Sequence, residues 1–250
     1  MTTADRWTRT VREQLGLGRL LPLGGPGDGA WIAERAAREV LLAAARGVAG
    51  VRPKELRIAL ADPGGAYEPA VPPPPSALPP GPLRVTADFA ATLAEPLPAT
   101  AARLRAALAT ATRRLGLTVT DVDLRATDLL ETASAPESGT ASETGTAPEA
   151  ATGGGPRPSP AVDRKNGDEG RAADAALAVV GVARLTDVLG RPVDVTESSL
   201  ESALPRRHVR VELAVDADHR AVEVARQVRV AVSGALADRP SVAVLVTAVG

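Results

Sequence analysis

The sequence predicts an α+β protein built from two small αββαβ units, with helices packed on one face of short mixed sheets. Helical and alternating apolar patterns follow one another in the same order in both halves of the chain. Residues 131–170, which contain no Leu, Ile or aromatic residue, separate the two halves. Short matching segments recur at equivalent places in the halves, which indicates an internal repeat.

The first unit is predicted over residues 28–130. Asp28 stands before an amphipathic run that ends at Gly47, as an N-cap residue does. Two alternating segments and a second amphipathic helix follow, and a third alternating segment ends the unit. The predicted elements are a helix over 28–46, strands over 55–61 and 83–89, a helix over 99–115 and a strand over 117–124.

The second unit, over residues 171–250, repeats this order. Its last segment is apolar at successive positions, which predicts a central strand buried on both faces. The strand, helix and strand that end the chain predict a crossover with the two strands parallel. The predicted elements are a helix over 172–180, a strand or loop at 193–196, a strand over 208–215, a helix over 217–236 and a strand over 241–249.

Two segments of biased composition connect these elements. Residues 131–170 carry seven acidic and three basic side chains and too little apolar surface to form a core, which predicts a disordered acidic linker. A partner-binding tail is the alternative. Residues 69–82 are rich in proline and predict an extended loop. The flanking strands favour a stiff connection over a docking ligand for another protein.

Composition excludes several classes of function. The chain has no Cys, so disulfides and thiolate chemistry are excluded. A net charge of −1 and four aromatic residues argue against nucleic-acid binding. No apolar run is long enough for a membrane span, and charged residues interrupt any secretory signal near the N-terminus. We therefore expect a cytoplasmic protein.

The candidate chemical groups are sparse. His208 and His219, with Asp216 and Asp218, could form a metal cluster, but their spacing matches no ligand motif. The two Asp residues are better explained as a turn in which one caps the following helix. We predict no catalytic residue, no cofactor and no metal site, and hence a protein that is not an enzyme.

The N-terminal segment, residues 1–27, offers a candidate contact surface. Its apolar and basic side chains form adjacent stripes if residues 5–21 are helical. Such a helix could contact a membrane or a protein partner, or pack on its own domain. The predicted contact residues are Trp7, Val11, Leu15, Arg6, Arg9 and Arg12.

The repeat also carries a family resemblance. Residues 48–51 match residues 179–182, and the alternating segment from Leu83 matches that from Val209. Together with the run from His208 to Gly250, this pattern resembles the alkaline shock protein (envelope stress response) family, in a two-copy actinobacterial type. The resemblance covers residues 29–128 and 171–250.

The resemblance implies a small α/β domain without a catalytic site that can be recruited to the membrane by a partner protein. It therefore predicts a non-enzymatic interaction or scaffold protein, with a membrane-associated protein partner and possible homo-oligomers. We also expect the two sheets to pair edge to edge, because each leaves open strand edges. The alternative function is an enzyme or small-molecule-binding protein with a pocket between the units.

Overall fold

The computed structural model describes residues 17–130, 167–198 and 206–250. All six predicted contact residues of the N-terminal segment and nearly all of the predicted linker lie outside these ranges. Within the described ranges, no helix combines the length and apolar character needed to cross a lipid bilayer.

The described residues form a mixed α+β fold, as predicted. The strands are β1 (Leu20–Pro22), β2 (Ala30–Ala33), β3 (Val51–Leu60), β4 (Leu83–Thr92), β5 (Val119–Leu130), β6 (Val182–Leu185), β7 (Val193–Ser198), β8 (Arg206–Val215) and β9 (Ser241–Val249). The α-helices are α1 (Glu34–Arg46), α2 (Leu97–Leu115), α3 (Asp168–Leu177) and α4 (Ala221–Ala235).

The first unit contains a three-stranded sheet in the order β3-β4-β5. Strand β3 is antiparallel to β4, and β5 is parallel to β4. Alternation along β4 places Leu83, Val85 and Phe89 in the core, where they are almost fully buried. Helix α1 packs against β3 and helix α2 against β5, so the core of the unit lies between its sheet and its helices.

The second unit has the same order, with β6 and β7 together in the place of β3. Both strands are antiparallel to β8, and β8 is parallel to β9 through α4. The predicted parallel pair is therefore confirmed. The predicted central position of β9 is also confirmed, since β9 lies between β2 and β8.

The chain before α1 adds two strands that the sequence analysis missed. Ala30–Ala33 pairs in parallel with β9, and β1 pairs antiparallel with β2. The predicted helix start at Asp28 is therefore wrong, and α1 begins at Glu34. A four-residue buried segment with Trp31 and Ile32 gains more by covering the apolar edge of β9 than by adding a turn of helix.

This addition also overturns the expected pairing of the two sheets. Strand β2 occupies the edge of β9, and the sheet that contains β3, β4 and β5 remains separate. Local segments of the same chain thus close the edge that the other unit was expected to close.

Most element boundaries shift by a few residues from the predictions; for example, β3 begins at Val51 and α3 begins at Asp168, inside the predicted linker. Three further differences change the interpretation. Helix α4 begins at Ala221, and Arg220 occupies its N-cap position without a side-chain cap, so neither Asp216 nor Asp218 caps it. The predicted N-terminal helix cannot extend to Leu21, because Leu20–Pro22 is a strand. Strand β5 continues to Leu130, so it is six residues longer at this end than the alternating pattern indicated, and five of these residues pair with β4.

The proline-rich segment, residues 69–82, connects β3 to β4. It also lies along β1, since the Leu20 amide donates to the Ser76 carbonyl and the Leu78 amide donates to the Leu20 carbonyl. The Trp31 indole Nε1 donates to the Leu78 carbonyl at 3.2 Å. The segment therefore contacts its own chain and covers the outer edge of β1.

Candidate functional site

A half-open groove of about 730 Å³ lies where the two units meet. Helices α1 and α2 of the first unit form one wall, and the carboxyl end of β9 with the turn before α4 forms the other. The lining residues are Glu39, Val40, Ala43, Ala44, Ala106, Ala107, Thr110, Ala111, Arg114, Leu115, Ala217, His219 and Val249. Small apolar side chains make most of this surface.

Close packing at the C-terminus of α2 holds the walls of the groove together. Gly116 ends α2 with a left-handed φ of 88°, a conformation that glycine adopts readily. A Cβ atom at this position would lie 2.3 Å from Cγ1 of Val222 in α4. The Gly24 amide donates to the Gly116 carbonyl at 3.0 Å. Only a residue without a side chain therefore allows α2 to approach α4 this closely.

Three polar side chains of the groove form local structural contacts. The Arg114 guanidinium donates to the Ala217 carbonyl at 3.1 Å and so joins the two units. The Thr110 hydroxyl donates to the Ala106 carbonyl of its own helix. Glu39 accepts from Arg35 one turn earlier on α1. This arrangement suits the binding of apolar groups, and among the described residues that line the groove no nucleophile is hydrogen-bonded to a general base.

An ion pair fastens the β1–β2 hairpin to the second unit. The Arg226 guanidinium donates to both carboxylate oxygens of Asp28, at 2.8 and 2.9 Å. Its hydrogen bonds hold the pKa of Asp28 below its usual range, against the opposing effect of burial. Arg229 adds hydrogen bonds to the Gly27 and Asp28 carbonyls. Asp28 thus fixes the hairpin on α4, and its predicted role as a helix cap is replaced by this one.

A buried carboxyl lies in the sheet of the second unit. Glu212 is fully buried on β8, where its Oε2 accepts from the Leu189 amide at 3.0 Å. The Arg210 Nε lies 3.5 Å from its other oxygen, Oε1, which has no hydrogen-bond partner among the described residues. Burial raises the pKa of Glu212 to about 7, although the neighbouring amides and Arg210 oppose this shift.

The two histidines lie far apart, His208 near the start of β8 and His219 four residues beyond its end. The His208 Nδ1 is 2.9 Å from the Ser241 hydroxyl, and burial lowers the pKa of this imidazole. His219 lines the groove. About 20 Å of extended strand separates them, at 3.3 Å per residue. The metal cluster that the sequence analysis considered, with both histidines, Asp216 and Asp218, therefore does not form. Within the described ranges there is no group of three side chains that could hold a metal ion.

The sequence analysis considered a pocket between the units but assigned none of the groove's lining residues to it, explaining His219 and Ala217 otherwise, and it missed Glu212. The many Ala residues on the exposed sides of α1 and α2 could have indicated the groove. Ala is also common at exposed helix positions simply because of its high helix propensity, so this pattern alone does not indicate a binding surface. Glu212 stands at a polar position of the alternating pattern, on the face that the pattern assigns to solvent. Nothing in the local sequence indicates that residues 186–192 cover it.

No protein-family model, curated protein or solved structure matches this chain. The resemblance to the alkaline shock proteins therefore rests on the residues quoted for it above.

Proposed function

We propose that this protein is a non-enzymatic, cytoplasmic interaction or scaffold protein of the envelope stress response type. The observation that carries the proposal is the chemistry of the groove between the units. Its apolar walls offer a binding surface, while Thr110, Arg114 and Glu39 are held in structural contacts. Binding through apolar surface needs no reactive group, and catalysis needs positioned reactive groups.

The proposed partner is a membrane-associated protein that places an apolar side chain or helix in this groove. The N-terminal residues Trp7, Val11 and Leu15, with Arg6, Arg9 and Arg12, would extend the contact to the partner or to the membrane surface. The family resemblance supports this arrangement, because it implies recruitment to the membrane by a partner protein.

The test is a cross-linking pull-down from native cells with the membranes retained. The full chain is compared with Ala43→Trp, which fills the groove from an exposed position on α1. Ala102→Trp is the matched control, since Ala102 is exposed on α2 and does not line the groove. We expect Ala43→Trp to lose a membrane protein that wild type and Ala102→Trp both capture. Equal capture by all three chains would contradict a groove-mediated partner.

The same groove favours a second candidate, a small-molecule-binding protein. Its volume falls within the range of small-molecule sites, and His219 and Arg114 place polar groups beside apolar walls. A fatty acid such as laurate serves as the probe. Calorimetric binding that Ala43→Trp abolishes and Ala102→Trp preserves would support this function, and the absence of heat with the full chain would contradict it.

A further inference from the structure

The strand edges of the two units are closed to different degrees. In the second unit, β2 covers the edge of β9. In the first unit, β5 is the strand that corresponds to β9. It pairs with β4 along one edge, and within the described ranges no strand pairs with its other edge. The open edge is long, since β5 spans Val119–Leu130. Such an edge presents unpaired backbone donors and acceptors to another strand.

The opposite edge of the same sheet is protected. Strand β3 contains Pro53, which has no amide hydrogen to donate, and its register shifts between Pro53 and Leu56. The Arg19 guanidinium donates to the Ile58 carbonyl at 2.6 Å. Proline, an irregular register and a capping side chain all oppose pairing at an edge. Strand β5 lacks proline, and its pairing with β4 is regular over residues 121–126.

We propose that β5 pairs antiparallel with β5 of a second copy of this chain, about a two-fold axis at Leu124. The pairing would join two three-stranded sheets into a continuous six-stranded sheet. An isologous contact of this kind requires that one strand be complementary to itself. The proposal rests on the proposed interaction function and names a second copy as one of the partners.

The charges of β5 select this register. Residues that lie opposite each other in an antiparallel pair are on the same face of the sheet. A two-fold axis at residue 123, 124 or 125 therefore leaves Val122, Leu124 and Ala126 of both copies on one face. Centring on Asp123 or Arg125 places two like charges opposite each other. Centring on Leu124 places each Asp123 opposite the partner's Arg125, because these residues flank the axis symmetrically.

The core face is complementary in the same register. Val122, Leu124 and Ala126 share the face of Val85, Ala87 and Phe89, to which they are paired in β4. About the axis at Leu124, each Val122 lies opposite an Ala126, and the two Leu124 side chains meet.

The side chains at this edge are free to take part. Asp123 and Arg125 are exposed, and Asp123 contacts Arg84 only loosely, at 3.6 Å. Arg105 of α2 lies 3.5 Å from the Val122 carbonyl, at the limit of a hydrogen bond, and is itself exposed. Exposed side chains of this length rearrange at little cost when a strand is added.

The test is a charge swap in the full chain, measured by sedimentation equilibrium. We expect wild type to dimerise at about 100 μM, a concentration that populates a contact of micromolar affinity. Asp123→Arg places two pairs of like charges across the axis and should raise the dissociation constant at least tenfold. Adding Arg125→Asp to that variant restores opposite charges and should restore the dimer.

The control is Arg57→Asp, which changes an exposed charge on the protected strand β3 and should leave the dimer unchanged. Circular dichroism shows whether each variant is folded. A wild type that stays monomeric, or a dimer that ignores both charge changes, would overturn the pairing. A monomeric wild type that still captures its membrane partner through the groove would overturn this pairing alone, whereas a β5-linked dimer with no partner would overturn only the proposed function.

Discussion

The two sheets of this protein share one strand order but differ in what surrounds them. In the second unit, the β1–β2 hairpin extends the sheet beyond β9, and the proline-rich segment lies along β1. In the first unit, β5 is the last strand of the sheet among the described residues. A repeated topology therefore does not dictate equal exposure, because chain segments outside the repeat decide which edges remain open.

The two sheets also differ in how far their outer faces, the faces turned away from the buried apolar side chains, are covered. Two arginines at matching positions of β4 and β8 show this difference. Arg84 of β4 is nearly half exposed and lies beside the exposed carboxylates Asp121 and Asp123. Arg210 of β8 is only 17% exposed and lies between Asp194 and the fully buried Glu212. Surface pairs such as the first contribute little, whereas a buried carboxyl carries a large desolvation cost. The matching positions therefore differ in kind. The uncovered outer face carries a solvated charge pair, and the covered one carries a buried carboxyl with a raised pKa.

The largest expected loss of stability comes from a substitution in β2, the strand that covers the edge of β9. Trp31→Ala removes an almost fully buried side chain from β2 and should lower the free energy of unfolding by about 3–5 kcal/mol. Trp31→Phe loses mainly the hydrogen bond to Leu78 and should cost about 1–2 kcal/mol. Urea unfolding measures both values.

Hydrogen exchange gives the matching comparison between the sheets. The Trp31→Ala variant should lose protection in β9 more than in β4, because β2 pairs only with the sheet of the second unit. Equal loss in both strands would show that β2 stabilises the molecule as a whole.

A second prediction concerns the junction of the two units. Gly116→Ala introduces a Cβ atom within 2.3 Å of Val222 at a positive φ, and should cost about 2–4 kcal/mol. Gly190→Ala also has a positive φ but meets no atom within 4 Å, so it should cost about 1–2 kcal/mol. If thermal and urea unfolding give equal losses for the two variants, the close approach of α2 and α4 is unimportant.

A third prediction concerns the buried carboxyl that distinguishes the outer faces. The pKa of Glu212 is raised from 4.5 to about 7, so the folded protein keeps a proton that the unfolded chain releases. The stability that this protonation contributes is fully present below about pH 4.5 and is lost as the pH rises through about 7. Relative to Glu212→Gln, wild type should lose about 3 kcal/mol over this interval.

The measurement is urea unfolding of both proteins from about pH 4 to pH 8, since the shift predicts that the change falls between the unfolded and the folded pKa of Glu212. Thr86→Val changes the equivalent position in the first unit and should leave the pH profile as it is in wild type. A constant difference between wild type and Glu212→Gln would show that Glu212 has an ordinary pKa.

The smallest effect concerns the ion pair that holds the hairpin. Asp28→Asn removes the charge that Arg226 binds and should cost about 1–2 kcal/mol at neutral pH. Because the pKa of Asp28 is lowered, its contribution is present above about pH 4 and disappears as the pH falls through the folded value. Glu39→Gln, which removes an exposed pair within α1, should cost less than about 0.5 kcal/mol. Thermal unfolding at neutral pH ranks the two.

Much of the fold could be predicted because local patterns and packing agree. The alternation from Leu83 to Phe89 and the amphipathic run of α2 each match the face that the structure buries. The groove could not be predicted in the same way. Its walls come from helices of one unit and a strand end of the other. The spacing of apolar residues within a segment does not indicate that Ala43 and Val249 lie in the same groove.

The sequence by itself determined the class of elements, their order and the repeat, because these follow from the period of apolar residues along the chain. Only the tertiary structure decided that Trp31 belongs to a strand, that Glu212 is buried and that no strand of the described residues pairs with the second edge of β5. Each of these depends on segments far apart in sequence. The residues of β2 were helix-compatible, and the apolar edge of β9, more than 200 residues later, made them a strand.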